Sequence, residues 1–162
     1  MNDYKKKKIL VITTSIFCKY YNLFMIKIIT SNSVEQTNKI ALDLASIING
    51  EIYILLTGDL GAGKTTFTKA LIKSLGIIKN VSSPTFTILN QYNICNKLIN
   101  HMDAYRLDIN NDLEMFIEQF DGAINIIEWW TNIKLNLDNK KTIKIEIKKI
   151  NETSRQFIIE GI

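Results

Sequence analysis

The sequence predicts an α/β protein, a mixed sheet flanked by helices with antiparallel strands added, on three observations. Residues 58–65 read GDLGAGKT and fit the phosphate-loop pattern G-x-x-x-x-G-K-[ST] at every required position. This loop leaves a short apolar, partly β-branched run at 52–57 and opens an amphipathic segment that stops at Gly76, so strand, loop and helix follow in the required order. Apolar and charged residues then alternate with period two at 142–148 and 155–160, the mark of half-buried antiparallel strands. Together they describe a P-loop NTPase-type fold. The glycines are needed because a tight turn must bring several N–H groups against a polyphosphate, where a Cβ would block the approach. Lys64 supplies a mobile positive charge for the β- and γ-phosphates, and the Thr65 hydroxyl can ligate the Mg²⁺ that bridges them.

At 162 residues the chain is expected to form one domain over residues 25–162, preceded by a poorly ordered extension at 1–24 or by an upstream start before Met25. Its net charge of +4 comes from Lys5, Lys6, Lys7, Lys8 and Lys19 against Asp3 in that extension, while 15 basic residues face 15 acidic ones from Met25 onward. The balance argues against direct nucleic-acid binding by the domain as a whole, and no DNA partner is expected. Cys18 and Cys95 have neither C-x-x-C spacing nor a histidine cluster beside them, which points to reduced thiols in a cytoplasmic protein. The apolar run at 9–18 is too short to span a bilayer and lacks a small-residue cleavage site, so no membrane role is expected.

In chain order, residues 26–29 form a first strand. Ser33 opens a helix with capping-box spacing to Gln36, and Val34, Ile40, Ala41, Leu44, Ile47 and Ile48 give it one buried face before Gly50. The helix start, Ser33 to Thr37, is a candidate for contact with a nucleotide base, and simple capping explains the same residues. The helix after the loop is expected to bury Phe67, Ala70, Leu71 and Leu75. Thr85, in the loop at 81–87 with the chain's only proline, stands where nucleotide hydrolases often carry a threonine that senses the γ-phosphate; a turn leading into a strand accounts for it equally.

Residues 87–92 and 97–102 read as a hairpin turning around Asn93 and Asn96, its second strand running into His101, Met102 and Asp103. An acid at the end of a hydrophobic strand is the Walker-B arrangement, which makes Asp103 a candidate for holding Mg²⁺ directly or through water. For His101, the sole histidine, packing or hydrogen bonding is the expected role. A short amphipathic helix around Leu113, Phe116, Ile117 and Phe120 ends at Gly122. The next strand, 123–127, again ends on an acid, Glu128, followed by Trp129 and Trp130. Ligands collect at the carboxyl ends of parallel strands, so Asp103 and Glu128 are expected on the edge that carries Lys64. Glu128 is a candidate for ligating Mg²⁺ or polarising water, and a tryptophan beside it for packing, covering the nucleotide or meeting a partner.

The loop GDLGAGKTT, then SSPTF, HMDAYRL and IEW, in that order, resemble the TsaE (YjeE) family of bacterial ATPases over nearly everything from Met25 onward. The resemblance implies a small ATPase using ATP and Mg²⁺ in the threonylcarbamoyl modification of tRNA adenosine beside the anticodon. In that family the ATPase acts on a TsaB–TsaD complex, through which it meets tRNA only indirectly, and its hydrolysis resets that complex for further turnover; for this chain weak hydrolysis alone and faster hydrolysis with the partners are expected. Residue by residue, the resemblance puts the nucleotide on Asp59, Leu60, Gly61, Ala62, Gly63, Lys64, Thr65 and the adjoining Thr66. It puts the metal at Thr65 and Glu128, the Walker-B-like acid at Asp103 and the switch threonine at Thr85, and matches Trp129 to the family tryptophan. Gln91 stands where an acid is frequent, Trp130 with Thr131 replaces the usual proline and polar or acidic residue, and the acidic helix from Asp112 is short.

Other nucleotide functions fit less well. A GTPase needs N-K-x-D, which neither Asn96-Lys97 nor Asn139-Lys140 completes, and a small-molecule kinase usually gathers several arginines where this chain has Arg106 and Arg155 alone. A nucleotide-dependent binding module that does not hydrolyse its ligand is the remaining alternative.

Overall fold

The computed structural model describes residues 9–11, 26–109 and 113–161. Most of the expected N-terminal extension therefore lies outside the described residues, as does Asp112. Among the described residues an eight-stranded sheet runs β1-β2-β8-β7-β3-β6-β5-β4. Its strands are β1 (Ile9–Val11), β2 (Ile26–Ser31), β3 (Ile52–Thr57), β4 (Leu89–Ile94), β5 (Lys97–Asp103), β6 (Ile124–Glu128), β7 (Thr142–Lys149) and β8 (Arg155–Glu160).

The centre of the sheet is parallel: β3 pairs with β6 on one side and β7 on the other, and β6 pairs with β5. Strand β3 is apolar without alternation because both its faces are covered, which is what a central parallel strand requires. The last two strands are antiparallel to each other as expected, but β7 joins β3 in parallel, with Tyr53 opposite Thr142. The hairpin β4–β5 turns at Cys95 and Asn96, both at positive φ (47° and 61°), one step from the Asn93 side of the expected turn. Two successive left-handed residues are the signature of the tight turn whose twist matches the strands it joins.

One face of the sheet is covered by α1 (Val34–Ala45) and α2 (Lys64–Ser74), the other by α3 (Glu114–Ile117) and the segments around it. Ser33 Oγ accepts from the Gln36 amide at 3.3 Å, and Gln36 Oε1 accepts from the Asn32 amide at 2.8 Å, a capping exchange worth about 1 kcal/mol. Helix α1 ends before Gly50, so Ile47 falls beyond its periodic face and is exposed. Val34 is exposed as well. In α2, Phe67, Leu71 and Ile72 fill the core, while Ala70 and Leu75 are only half-buried.

Candidate nucleotide site

Strand β3 delivers the chain to residues 58–63, and α2 begins at Lys64. A Cβ built on Gly58 would run into the Ile147 carbonyl oxygen of β7, so this position needs glycine for space as well as for its φ of 139°. Gly63, at φ 105°, turns the chain into α2. The first amides of a helix have no intrahelical partner and carry its positive dipole end, so those of Lys64, Thr65 and Thr66 form an anion-receptive rim.

Lys64 is 5 % exposed, and its Nζ donates to the carbonyls of Gly58 (2.6 Å) and Asp59 (2.9 Å) beneath the loop. The same ammonium lies 3.6 Å from the Trp129 ring centroid, and Trp129 in turn contacts Tyr105. Burial pushes the Lys64 pKa below the usual lysine value, while the carboxylates of Glu128, Asp103 and Asp59 oppose that shift.

Two acids arrive from neighbouring strands in register, Asp103 of β5 beside Glu128 of β6. Thr65 Oγ1 donates to Glu128 Oε2 at 2.8 Å, which joins the start of α2 to the end of β6. Glu128 Oε1 is paired with His101 Nε2, also at 2.8 Å. The Asp103 carboxylate accepts from Thr85 Oγ1 (2.7 Å) and from the Tyr105 amide (3.0 Å). Thr85 is thereby tied to the end of β5. The loop carrying it ends at Ile88, a β-branched residue at φ 65°, and such a conformation costs on the order of 1–3 kcal/mol. The Ile88 carbonyl accepts from the Asp103 amide at 2.9 Å, so the strained residue is bonded to the same strand end.

The hydroxyl of Thr65 and the carboxylates of Glu128 and Asp103 are hard oxygen donors, the type that Mg²⁺ takes. Among the described residues no three or more His, Cys, Asp or Glu side chains are grouped to hold a metal.

Beside the loop lies a cavity of about 310 Å³ lined by Asn32, Thr37, Gly63, Thr66, Thr153 and Arg155, among others. Thr37 is held there by a 2.8 Å hydrogen bond between its hydroxyl and that of Ser31. Sequence reasoning did not foresee the β7–β8 hairpin as the far wall of this cavity. Arg155 Nε donates to the Ala62 carbonyl (2.9 Å), and its Nη1 donates to the carbonyls of Asn151, Glu152 and Ser154, so one side chain fastens hairpin and loop together. The available signal was an arginine opening a strand in a chain with only two. Leu60 and Thr66 are exposed, Leu60 at the loop tip and Thr66 on the cavity rim.

The fold and loop define a P-loop nucleotide-binding protein. The structure is similar to that of Bacillus subtilis YdiB, with a TM-score of 0.68, 26 % identity, and coverage of 88 % of this chain and 89 % of that one. The family model for the threonylcarbamoyl adenosine biosynthesis protein TsaE matches residues 31–157. The TsaE protein of Bacillus subtilis (strain 168) is 36 % identical over 129 residues, covering 79 % of this chain and 81 % of its own. That of Aquifex aeolicus (strain VF5) is 37 % identical over 138 residues, covering 83 % and 96 %. The chain belongs to the TsaE family.

Proposed function

We propose that this protein is an ATP hydrolase that supports the threonylcarbamoyl modification of tRNA adenosine next to the anticodon by acting on a TsaB–TsaD protein complex. The observation that carries the reading is the bond between Thr65 and Glu128 beside the loop that holds the Lys64 ammonium, with Asp103 and Thr85 joined next to them. The tRNA role comes from the family, whose curated members are named for that biosynthesis.

In this reading the amides of 59–66 and the Lys64 ammonium bind the phosphates, and the cavity between Thr37 and Arg155 takes the nucleoside. Thr65 and Glu128 would hold Mg²⁺, with Asp103 beside them; when bound, the ion neutralises charge that develops on the phosphate oxygens. Thr85 leaves Asp103 to meet the γ-phosphate, and its return after phosphate loss makes the loop at 82–87 a switch that the partner complex can read. Trp129 covers Lys64 and keeps water from its inner side. Kinase chemistry is disfavoured by a specific observation: Arg155 is committed to backbone carbonyls and Arg106 lies over the exposed Phe86 ring at 4.8 Å.

The test is ATP turnover by the purified protein with and without TsaB–TsaD. Slow hydrolysis alone and faster hydrolysis with the complex is the expected result. Phosphorylation of a small acceptor, together with no binding to the complex, would sink the reading.

A further inference from the structure

Glu128 is 1 % exposed and His101 is fully buried, so neither carboxylate oxygen can turn to bulk water for a partner. Thr65 occupies Oε2 and His101 Nε2 occupies Oε1. An ionised carboxylate can only accept, so the bond to Oε1 requires the proton on Nε2. Nδ1 of the same ring is buried with no hydrogen-bond partner. A proton there would be a donor with nothing to bond, so the geometry places the ring's N–H on Nε2. The contact is diagonal across the parallel pair: His101 is in register with Ile126, two residues before Glu128 on the same face of β6.

We propose that His101 is the positioning residue of the site. Its Nε2–H fixes Oε1, and the carboxylate then presents Oε2 to the Thr65 hydroxyl and to the cation those two groups would share. Freed of that bond, Glu128 would keep a buried oxygen without a donor and would turn toward Lys64 or Thr65 to find one, displacing the very atom the cation needs. This inference rests on the nucleotide reading above, and its structural half is testable apart from it.

The chain has one histidine, so the ring ¹⁵N spectrum of tag-free protein reports on His101 alone. The expected spectrum is that of the Nε2–H tautomer, with the Nε2 signal displaced in Glu128→Ala. An Nδ1–H tautomer, or a signal indifferent to Glu128→Ala, overturns the proposal whether or not the protein hydrolyses ATP. Turnover measures the consequence. His101→Ala should lower kcat by about 10–100-fold and raise the Mg²⁺ needed for half-maximal rate while leaving KM for ATP nearly unchanged. His101→Gln, whose amide places an N–H near the Nε2 position, should recover most of the rate, and with the spectrum it carries the test if His101→Ala does not fold. In the Glu128→Ala background, removing His101 should cost nothing more. An additive loss there, or full kcat in His101→Ala, overturns the proposal. An Nε2–H ring that senses Glu128 in a protein with no ATP turnover would support the contact and defeat the hydrolase reading instead.

Discussion

Strands β5 and β6 carry two polar clusters a few residues apart, built on opposite rules. Toward their amino ends, Gln91, Asn100 and Asn125 form an amide ladder across three strands: Gln91 Nε2 donates to Asn100 Oδ1 (2.9 Å), and Asn100 Nδ2 donates to Asn125 Oδ1 (2.8 Å). The remaining amide hydrogens of Asn100 and Asn125 go to the carbonyls of Gln119, Phe120 and Ala123, which ties the end of α3 to the sheet. This cluster is neutral and closed on itself. At the carboxyl ends, Lys64, Asp103 and Glu128 bring three charged groups into burial, and the ring that orients one of them leaves Nδ1 unpartnered. Burying charge is expensive, so an arrangement of this kind is explained by chemistry that needs it, whereas the satisfied ladder is explained by holding strands in place.

Lys64→Ala is the hardest test of that contrast. It should lower nucleotide affinity or turnover by about 100-fold or more, because its ammonium lies under the loop against the Gly58 and Asp59 carbonyls, where it can reach the phosphates. Its melting temperature should fall only modestly, since removing the desolvated ammonium relieves a burial cost while leaving the Gly58 and Asp59 carbonyls without that donor and Glu128 and Asp103 without that cation. Nucleotide titration and thermal melting on the same sample read both halves, and a variant that melts much lower yet binds normally would reverse the assignment of roles. Glu128→Ala comes next, with kcat reduced by roughly 100-fold at little change in nucleotide affinity. Unchanged hydrolysis would remove Glu128 from the mechanism.

Asn125→Ala probes the other cluster. It leaves the Asn100 Nδ2 and the Phe120 carbonyl short of partners, at a cost of about 1–3 kcal/mol. At roughly 2–4 °C per kcal/mol for a chain of this size, melting should fall by several degrees with KM for ATP unaltered. A change in KM without a change in melting would show that the ladder communicates with the site.

The charged cluster was largely legible in the sequence and the neutral one was not. Lys64 and Thr65 sit in a contiguous pattern, and Asp103 and Glu128 each end a hydrophobic run, so local order alone places them on one sheet edge. Asn100 and Asn125 are 25 residues apart and meet only because β5 lies beside β6, and Arg155 reaches Ala62 across 93 residues. Period-two alternation tells that a strand has two faces and says nothing of its neighbours, which is why β7 was read as part of an antiparallel pair while its parallel union with β3 went unseen. Val34 failed for a related reason. Its phase matches Ala41, but the residue is exposed and lines the cavity beside the loop.

The smallest effect is expected where charges meet in water. Glu51 and Lys140 pair at 2.6 Å at the amino end of the sheet, with the Glu51 carboxylate also accepting from the Gly122 amide. The hydrogen bond from Lys140 is the main reason the Glu51 pKa lies below the usual carboxylate value, and the same bond raises that of Lys140. The stability this adds is therefore present above the ordinary carboxylate pKa and lost as pH falls through the lowered folded value; on the basic side it is lost as pH rises through the raised lysine value. Because both side chains face solvent, the pair gains little and salt screens it. Lys140→Met should shift melting far less than Asn125→Ala at neutral pH, and the melting curves of variant and parent should converge as the acid range is entered. Curves that separate further in acid would mean that Glu51 is held by something other than Lys140, and that the exposed pair belongs with the buried groups after all.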